Sequence, residues 1–177
     1  RRSGVLVFER SPVSEVTRIG ESWRLVASRG RIDAAKVILA NNGHLESFGF
    51  ARNRLMHVFL YASMTAELDK DALSRLGGQP RWGVTPSDPM GTTMRRIDAA
   101  QGGNRIVTRT CATYQPNMEA PEAAVVRTAE VHRRKFADRF PAIADVPMEY
   151  AWAGQLCLSG NGVAVMRELE NGLYSAC

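Results

Sequence analysis

One long helical stretch stands among many short β-rich runs, and that ratio sets the fold class. From Pro121 to Phe140, the residues Val125, Ala129, His132, Phe136 and Phe140 fall on one stripe, with Arg127, Glu130, Arg134 and Asp138 outside it. This is the periodicity of a helix that buries one face. Pro121 suits the first turn and Pro141 ends the helix, because proline lacks the N–H that a helix interior needs. A short second helix is predicted over residues 69–76, capped by Asp69 and stopped by Gly77-Gly78. Almost everything else that is patterned reads as strand.

Residues 4–9, "GVLVFE", form a β-rich run. Three further runs follow at 14–20, 22–28 and 30–40, divided by Gly20 and Gly30. They predict a three-stranded meander whose last strand, ending in the apolar residues Val37 to Ala40, is the most buried. That strand stops in Asn41-Asn42-Gly43-His44, a dense turn signal. Residues 53–68 predict a long strand apolar on both faces. "TTMRRID" and "NRIVTRTCATY" predict a hairpin, and 146–159, 162–169 and 172–177 predict three more strands around glycine turns. With roughly ten strands and two helices, the expected class is α+β: a largely antiparallel or mixed sheet, one long helix covering a face, and a β-meander at the front.

Composition narrows the function classes. A chain of 177 residues holds one good core, or one domain and part of another. The net charge is +5, but the basic residues are scattered apart from Arg1-Arg2, Arg95-Arg96 and "HRRK" at 132–135. They lack the interleaved aromatics of a nucleic-acid groove, so the expected partner is a small anionic ligand rather than nucleic acid. No apolar run approaches the roughly 20 residues of a membrane helix. Cys111, Cys157 and Cys177 form no CxxC, which fits a reducing, cytoplasmic setting. His44, His57 and His132 lack metal-ligand spacing. No GxSxG, HExxH, P-loop or GxGxxG is present, and no catalytic residue is assigned. Both ends fall within strand patterns, which reads as a piece of a larger protein; open strand edges there could pair two copies into a dimer.

Four stretches, in order, resemble the FAD-dependent oxidoreductases of the D-amino-acid-oxidase/glycine-oxidase superfamily. "GVLVFERSPV" resembles the segment in which a valine sets its backbone against the adenine, matched here by Val13. "KVILANNGH" resembles the family's strand end at the cofactor. The sheet and helix from about Leu55 to Pro141 are similar to the substrate domain, and "YAWAGQLCLSGNGVAVM" resembles the return strand near the isoalloxazine ring. The flavour is nearest the gamma-glutamylputrescine oxidoreductase-like subgroup.

The resemblance implies a partial FAD-binding domain at 1–50, a substrate-type α+β domain at 51–150 and return strands at 151–177. It implies FAD contacts at Val13, Ala40, Asn42, Gly43, Trp152 and Gly154, and oxidation of an amine or amino acid by hydride transfer. Other segments of the family fold, including its GxGxxG unit, also bind FAD, so these residues alone are expected neither to retain it nor to turn over substrate. Where many members carry W-x-G-x-R-P, with the arginine on a substrate carboxylate, this chain has Trp152-Ala-Gly154-Gln155-Leu156-Cys157. Arg95, Arg96 or Arg109 could replace that clamp. Plain alternatives stand beside each reading: Asn42-Gly43 as a simple turn with Gly43 at positive φ, Trp152 as core, His44 and the arginines as surface residues, Cys157 as a buried thiol. For the whole chain the rivals are a non-catalytic binding or assembly module of the same fold, and a relative of the tRNA-modifying flavoproteins.

Overall fold

The computed structural model describes residues 4–88 and 91–177; Arg1, Arg2 and Ser3 and, in the proline-rich loop, Pro89-Met90 lie outside them. The class is α+β. The chain forms two compact units, Arg1–Met56 with Cys157–Cys177, and His57–Leu156.

The first unit opens with the meander β1 (Val13–Ile19), β2 (Ser22–Ala27) and β3 (Gly30–Ala34), all antiparallel. Next comes β4 (Val37–Leu39), and then a 3-10 helix, Asn42–Phe48. Here the expected single strand over 30–40 is corrected. It breaks after Ala34, and β4 joins a different sheet, where it runs parallel to β11 (Leu173–Ala176), itself antiparallel to β10 (Met166–Glu170). The break has a packing cause. Val37 N–H donates to the carbonyl of Gly172 at 2.9 Å, and the Trp23 indole N–H donates to the carbonyl of Asn171 at 3.0 Å. Trp23, Val37, Leu39, Leu45 and Leu173 then close one core. Burial follows the new sheet: Val37 and Leu39 are inside, whereas β3 is exposed.

A second correction concerns residues 4–9, which form no strand. Val5, Leu6, Val7 and Phe8 are exposed, and no strand among the described residues pairs with them to satisfy their backbone groups. The run at 162–169 likewise becomes strand only at Met166.

In the second unit the sheet order is β6 (Trp82–Val84), β7 (Thr93–Ile97), β8 (Arg105–Tyr114), β5 (Leu55–Thr65), β9 (Met148–Ser159). The predicted hairpin is the antiparallel β7–β8 pair. Two helices, α1 (Lys70–Leu76) and α2 (Glu122–Arg139), lie on one face. Asp69 caps α1 by accepting the Ala72 N–H at 2.8 Å. The buried ladder of α2 is Ala124, Thr128, His132 and Phe136, one residue out of phase with the predicted stripe over the first two turns. Leu68, Ala72, Ile106, Phe136 and Ile143 form the core beneath these helices.

Candidate functional site

The residues singled out in the sequence fall at two places among the described residues, one in each unit. The first is a cavity of about 620 Å³ at the end of β4. Its walls are apolar, from Val13, Leu25 and Leu39, and its rim is the strand end Ala40-Asn41 with His44. The turn beyond is built by asparagine. Asn42 takes the left-handed conformation (φ 53°), and its Oδ1 accepts the Cys157 N–H at 3.1 Å. Gly43 follows it, buried inside the 3-10 helix; the positive φ expected of the glycine is therefore carried by Asn42. Asn41 Oδ1 lies 3.8 Å from the Cys177 thiol. Burial pushes the Cys157 thiol up, with smaller contributions from Cys177 and Glu46, so it is a poor thiolate nucleophile.

The second place is the sheet face that no helix covers. Register identifies it. Odd-numbered residues of β5 point to α2: His57, Phe59, Tyr61, Ser63 and Thr65 are buried. Val58, Leu60, Ala62 and Met64 therefore point the other way, and all four are half-buried. Across the pairs Ala62–Arg109, Met64–Val107, Thr93–Arg109 and Arg95–Val107, the same face collects Thr93, Arg95, Val107 and Arg109. On β9, Ala153 packs against Phe59 and Tyr61 on the covered side, so Trp152 and Gly154 lie on the open side, with Trp152 41% exposed. A Cβ at Gly154 would meet nothing within 4 Å.

The three arginines are thereby separated. Arg95 and Arg109 share the open face, are exposed, and have no ion-pair partner among the described residues. Arg96 does not join them. It lies on the covered side, 6% exposed, and its Nη1 donates to the carbonyls of Gly77 and Gln79 at 2.7 and 2.8 Å. Its guanidinium closes the end of α1 and is not available to a ligand on the open face.

A β-bulge shapes that face. Tyr61 pairs with Thr110 but Leu60 pairs with Ala112, leaving Cys111 as the extra residue at φ 65°. The fully buried His132 holds the bulge: its Nε2 accepts the Thr110 N–H at 3.1 Å, and its Nδ1 lies 2.8 Å from Ser63 Oγ. Since Nε2 accepts a backbone N–H, the ring is neutral with its proton on Nδ1, donated to Ser63. Burial lowers the His132 pKa, which agrees with a neutral ring. Sequence reading found His132 on the buried stripe but not this role, because a bulge leaves no periodic trace.

Against this geometry, the model of the FAD-dependent oxidoreductase family DAO matches residues 1–177. The chain belongs to the DAO family. Solved structures of similar fold include glycine oxidase from Geobacillus kaustophilus, with 17% identity, TM-score 0.72, and coverage of 98% of this chain and 44% of that one. L-amino acid deaminase from Proteus vulgaris has 15% identity, TM-score 0.65, and coverage of 99% and 42%. L-proline dehydrogenase from P. horikoshii has 13% identity, TM-score 0.63, and coverage of 99% and 46%. This DAO-family chain thus spans less than half the length of these structures. No curated protein matches it in sequence.

FAD is the cofactor of the DAO family, and the β4 cavity can be tested against it. Apolar walls at Val13, Leu25 and Leu39 suit a flat heteroaromatic ring. Its lining holds neither a glycine-rich loop nor an α-helix N-terminus to cradle a pyrophosphate. The residues fit one end of the cofactor. In this chain Val13 and Ala40 line one cavity beside the Asn42-Gly43 turn, and Trp152 and Gly154 lie on β9 in the other unit. His44, which sequence reading left as a surface turn residue, is exposed but lines the cavity with them. Among the described residues no group of three metal-ligating side chains converges, and no helix is long and apolar enough to cross a membrane.

Proposed function

We propose that this chain contributes to a flavin-dependent oxidoreductase that oxidises a C–N bond of an amine or amino acid. The supporting observation is the helix-free sheet face carrying Arg95 and Arg109, neither with an ion-pair partner among the described residues, in a chain of the DAO family. In this reading Val13, Ala40, Asn42 and Gly43 hold part of FAD through backbone and turn, and Trp152 with Gly154 borders the reacting end. FAD, when bound, supplies the two-electron acceptor of the reaction. The chain's own residues bind and orient the amine. Val58, Leu60, Ala62 and Met64 exclude water around the reacting carbon and favour the uncharged amine, which alone can give up a hydride. The carbon loses hydride, the nitrogen loses a proton, and the resulting imine is hydrolysed by water to carbonyl and free amine.

No side chain on the open face is assigned as a general base, so the reading requires a neutral amine and predicts a rate that rises with pH toward the amine's own pKa. The test is anaerobic mixing of the FAD-loaded holoenzyme with a panel of primary and secondary amines and amino acids. Bleaching of the flavin absorbance by any of them is the expected result; an unreduced flavin across the panel overturns the assignment.

A further inference from the structure

Two of the cysteines meet in the first unit. Cys157, near the end of β9, and Cys177, just past β11, line one small cavity of about 160 Å³. The wall around them is largely apolar, from Leu55, Val163 and Val165. Leu55, Val165 and Cys177 pack on the core that Trp23, Val37, Leu39, Leu45 and Leu173 close, and both cysteines are half-buried. Hydrogen bonds hold the backbone at each. Cys157 N–H donates to Asn42 Oδ1 at 3.1 Å. Cys177 N–H donates to the Val165 carbonyl at 3.2 Å, and Val165 N–H donates back to the Cys177 carbonyl at 2.7 Å. The Cys177 thiol lies 3.4 Å from the Leu39 carbonyl oxygen. The nearness of the two sulfurs also shows in their ionisation: the Cys157 thiol is held up first by burial and next by Cys177, since a thiolate on one opposes a thiolate on the other. A cysteine buried alone acts as a small apolar residue. Two that share a cavity make a dithiol, and the chemistry of a dithiol is oxidation.

We propose that Cys157 and Cys177 form a peroxide-oxidisable pair that closes to an intramolecular disulfide, joining the end of β9 to the end of β11 beside the Asn41-Asn42 turn. The inference does not depend on the amine-oxidation reading. Burial makes Cys157 the poorer nucleophile, so Cys177 reacts first. Its thiolate attacks hydrogen peroxide: an S–O bond forms, the O–O bond breaks, and the departing hydroxide leaves as water. The Cys157 sulfur then attacks the sulfenic acid: the S–S bond forms, the S–O bond breaks, and the Cys157 proton leaves with the oxygen as a second water. The two sulfurs together lose two electrons and the peroxide gains them. With both backbones held in place, this second step is intramolecular and outruns further oxidation of the sulfenic acid. Asn41 Oδ1, which lies 3.8 Å from the Cys177 thiol, belongs to a residue that also lines the β4 cavity, so the state of the sulfurs reaches the rim of that cavity.

The experiment exposes the full-length protein to hydrogen peroxide, blocks the remaining thiols with iodoacetamide on denaturation, and maps the proteolytic peptides by mass spectrometry without reductant. The expected product is a peptide pair linked from Cys157 to Cys177, in roughly tenfold or greater excess over sulfinic acid at either position, and separated again by dithiothreitol. Cys111, the sole cysteine of the His57–Leu156 unit among the described residues, should stay out of the linkage. Cys157→Ser should leave Cys177 to pass on to sulfinic acid. A second measurement needs neither a variant nor an oxidant: phenylarsine oxide, which bridges two adjacent thiols, should protect both cysteines of the folded, unsubstituted protein from iodoacetamide as a single adduct. Thiols that stay reduced, that end separately as sulfinic acids, or that pair with other cysteines overturn the disulfide. An arsenic bridge without a linked peptide overturns the peroxide step, and the lack of both overturns the pair itself.

Discussion

The imidazole of His132 is a pin between helix and sheet, and its chemistry sets a pH limit on the second unit. The neutral ring accepts from Thr110 N–H and donates to Ser63 Oγ in a fully buried site. Its folded pKa is depressed by burial, so the unfolded chain binds the extra proton more readily. Stability from this group is therefore complete above about pH 6.5 and is lost as pH falls below that value toward the folded pKa. Urea unfolding between about pH 7.5 and about pH 5.5 should show that loss, and His132→Ala should flatten the slope while lowering stability by ~2–3 kcal/mol, the order expected for stranding buried polar groups. A slope unchanged by the substitution would refute the pin. Arg96 and Arg95 give a second contrast from adjacent positions. Arg96→Gln strands the carbonyls of Gly77 and Gln79 and should cost ~1–3 kcal/mol. Arg95→Gln, on the exposed face, should stay within about 0.5 kcal/mol of the parent by the same assay.

At the scale of elements, the local signals were legible and the long-range ones were not. Asp69, Gly77 and the alternation in β5 act within a few residues of themselves, so α1, β5 and the β7–β8 hairpin could be read directly. The division of residues 30–40 into β3 and β4 could not, because its cause is a partner more than a hundred residues away. Val37 turns out of the meander to bond Gly172, and no residue near Val37 announces this. The same reasoning explains the site. Ala40 and the Asn42-Gly43 turn carried their own signal, but Arg95 and Arg96 looked alike until strand register put them on opposite faces. Gly172 is the residue on which the β4–β11 junction depends. It sits at φ 78°, and a Cβ there would lie 2.7 Å from the Ala35 carbonyl oxygen and within 4 Å of Trp23. Gly172→Ala should therefore cost at least ~2 kcal/mol, from left-handed strain together with the clash, and should quench or shift Trp23 fluorescence before the α2 core melts. Thermal melts with indole emission and far-UV dichroism as separate probes would show it; coincident, unshifted melts would rule it out.

For the whole molecule, the governing quantity is how much of a cofactor site 177 residues can supply. The β4 cavity accepts a ring, yet it lacks the backbone donors of a phosphate cradle, which are a large part of dinucleotide affinity. These 177 residues alone should therefore fail to carry FAD through gel filtration. Stoichiometric flavin absorbance in the protein peak would show that the site is complete as it stands. Family membership, the α+β class and the absence of a glycine-rich fingerprint were all legible here, since each can be read from runs of contiguous residues.

The parallel pairing of β11 with β4 also bears on how the protein is made. Val37 leaves the ribosome early and Leu173 late, so the core that joins them stays unfilled while the whole of His57–Leu156 is synthesised. That middle segment is continuous and can fold first. Until Leu173 arrives, Trp23, Val37 and Leu39 have no complete interior to enter. The nascent chain passes through a stage in which one half is folded and the other waits with apolar residues exposed, and it is at this stage that a chaperone would find something to hold.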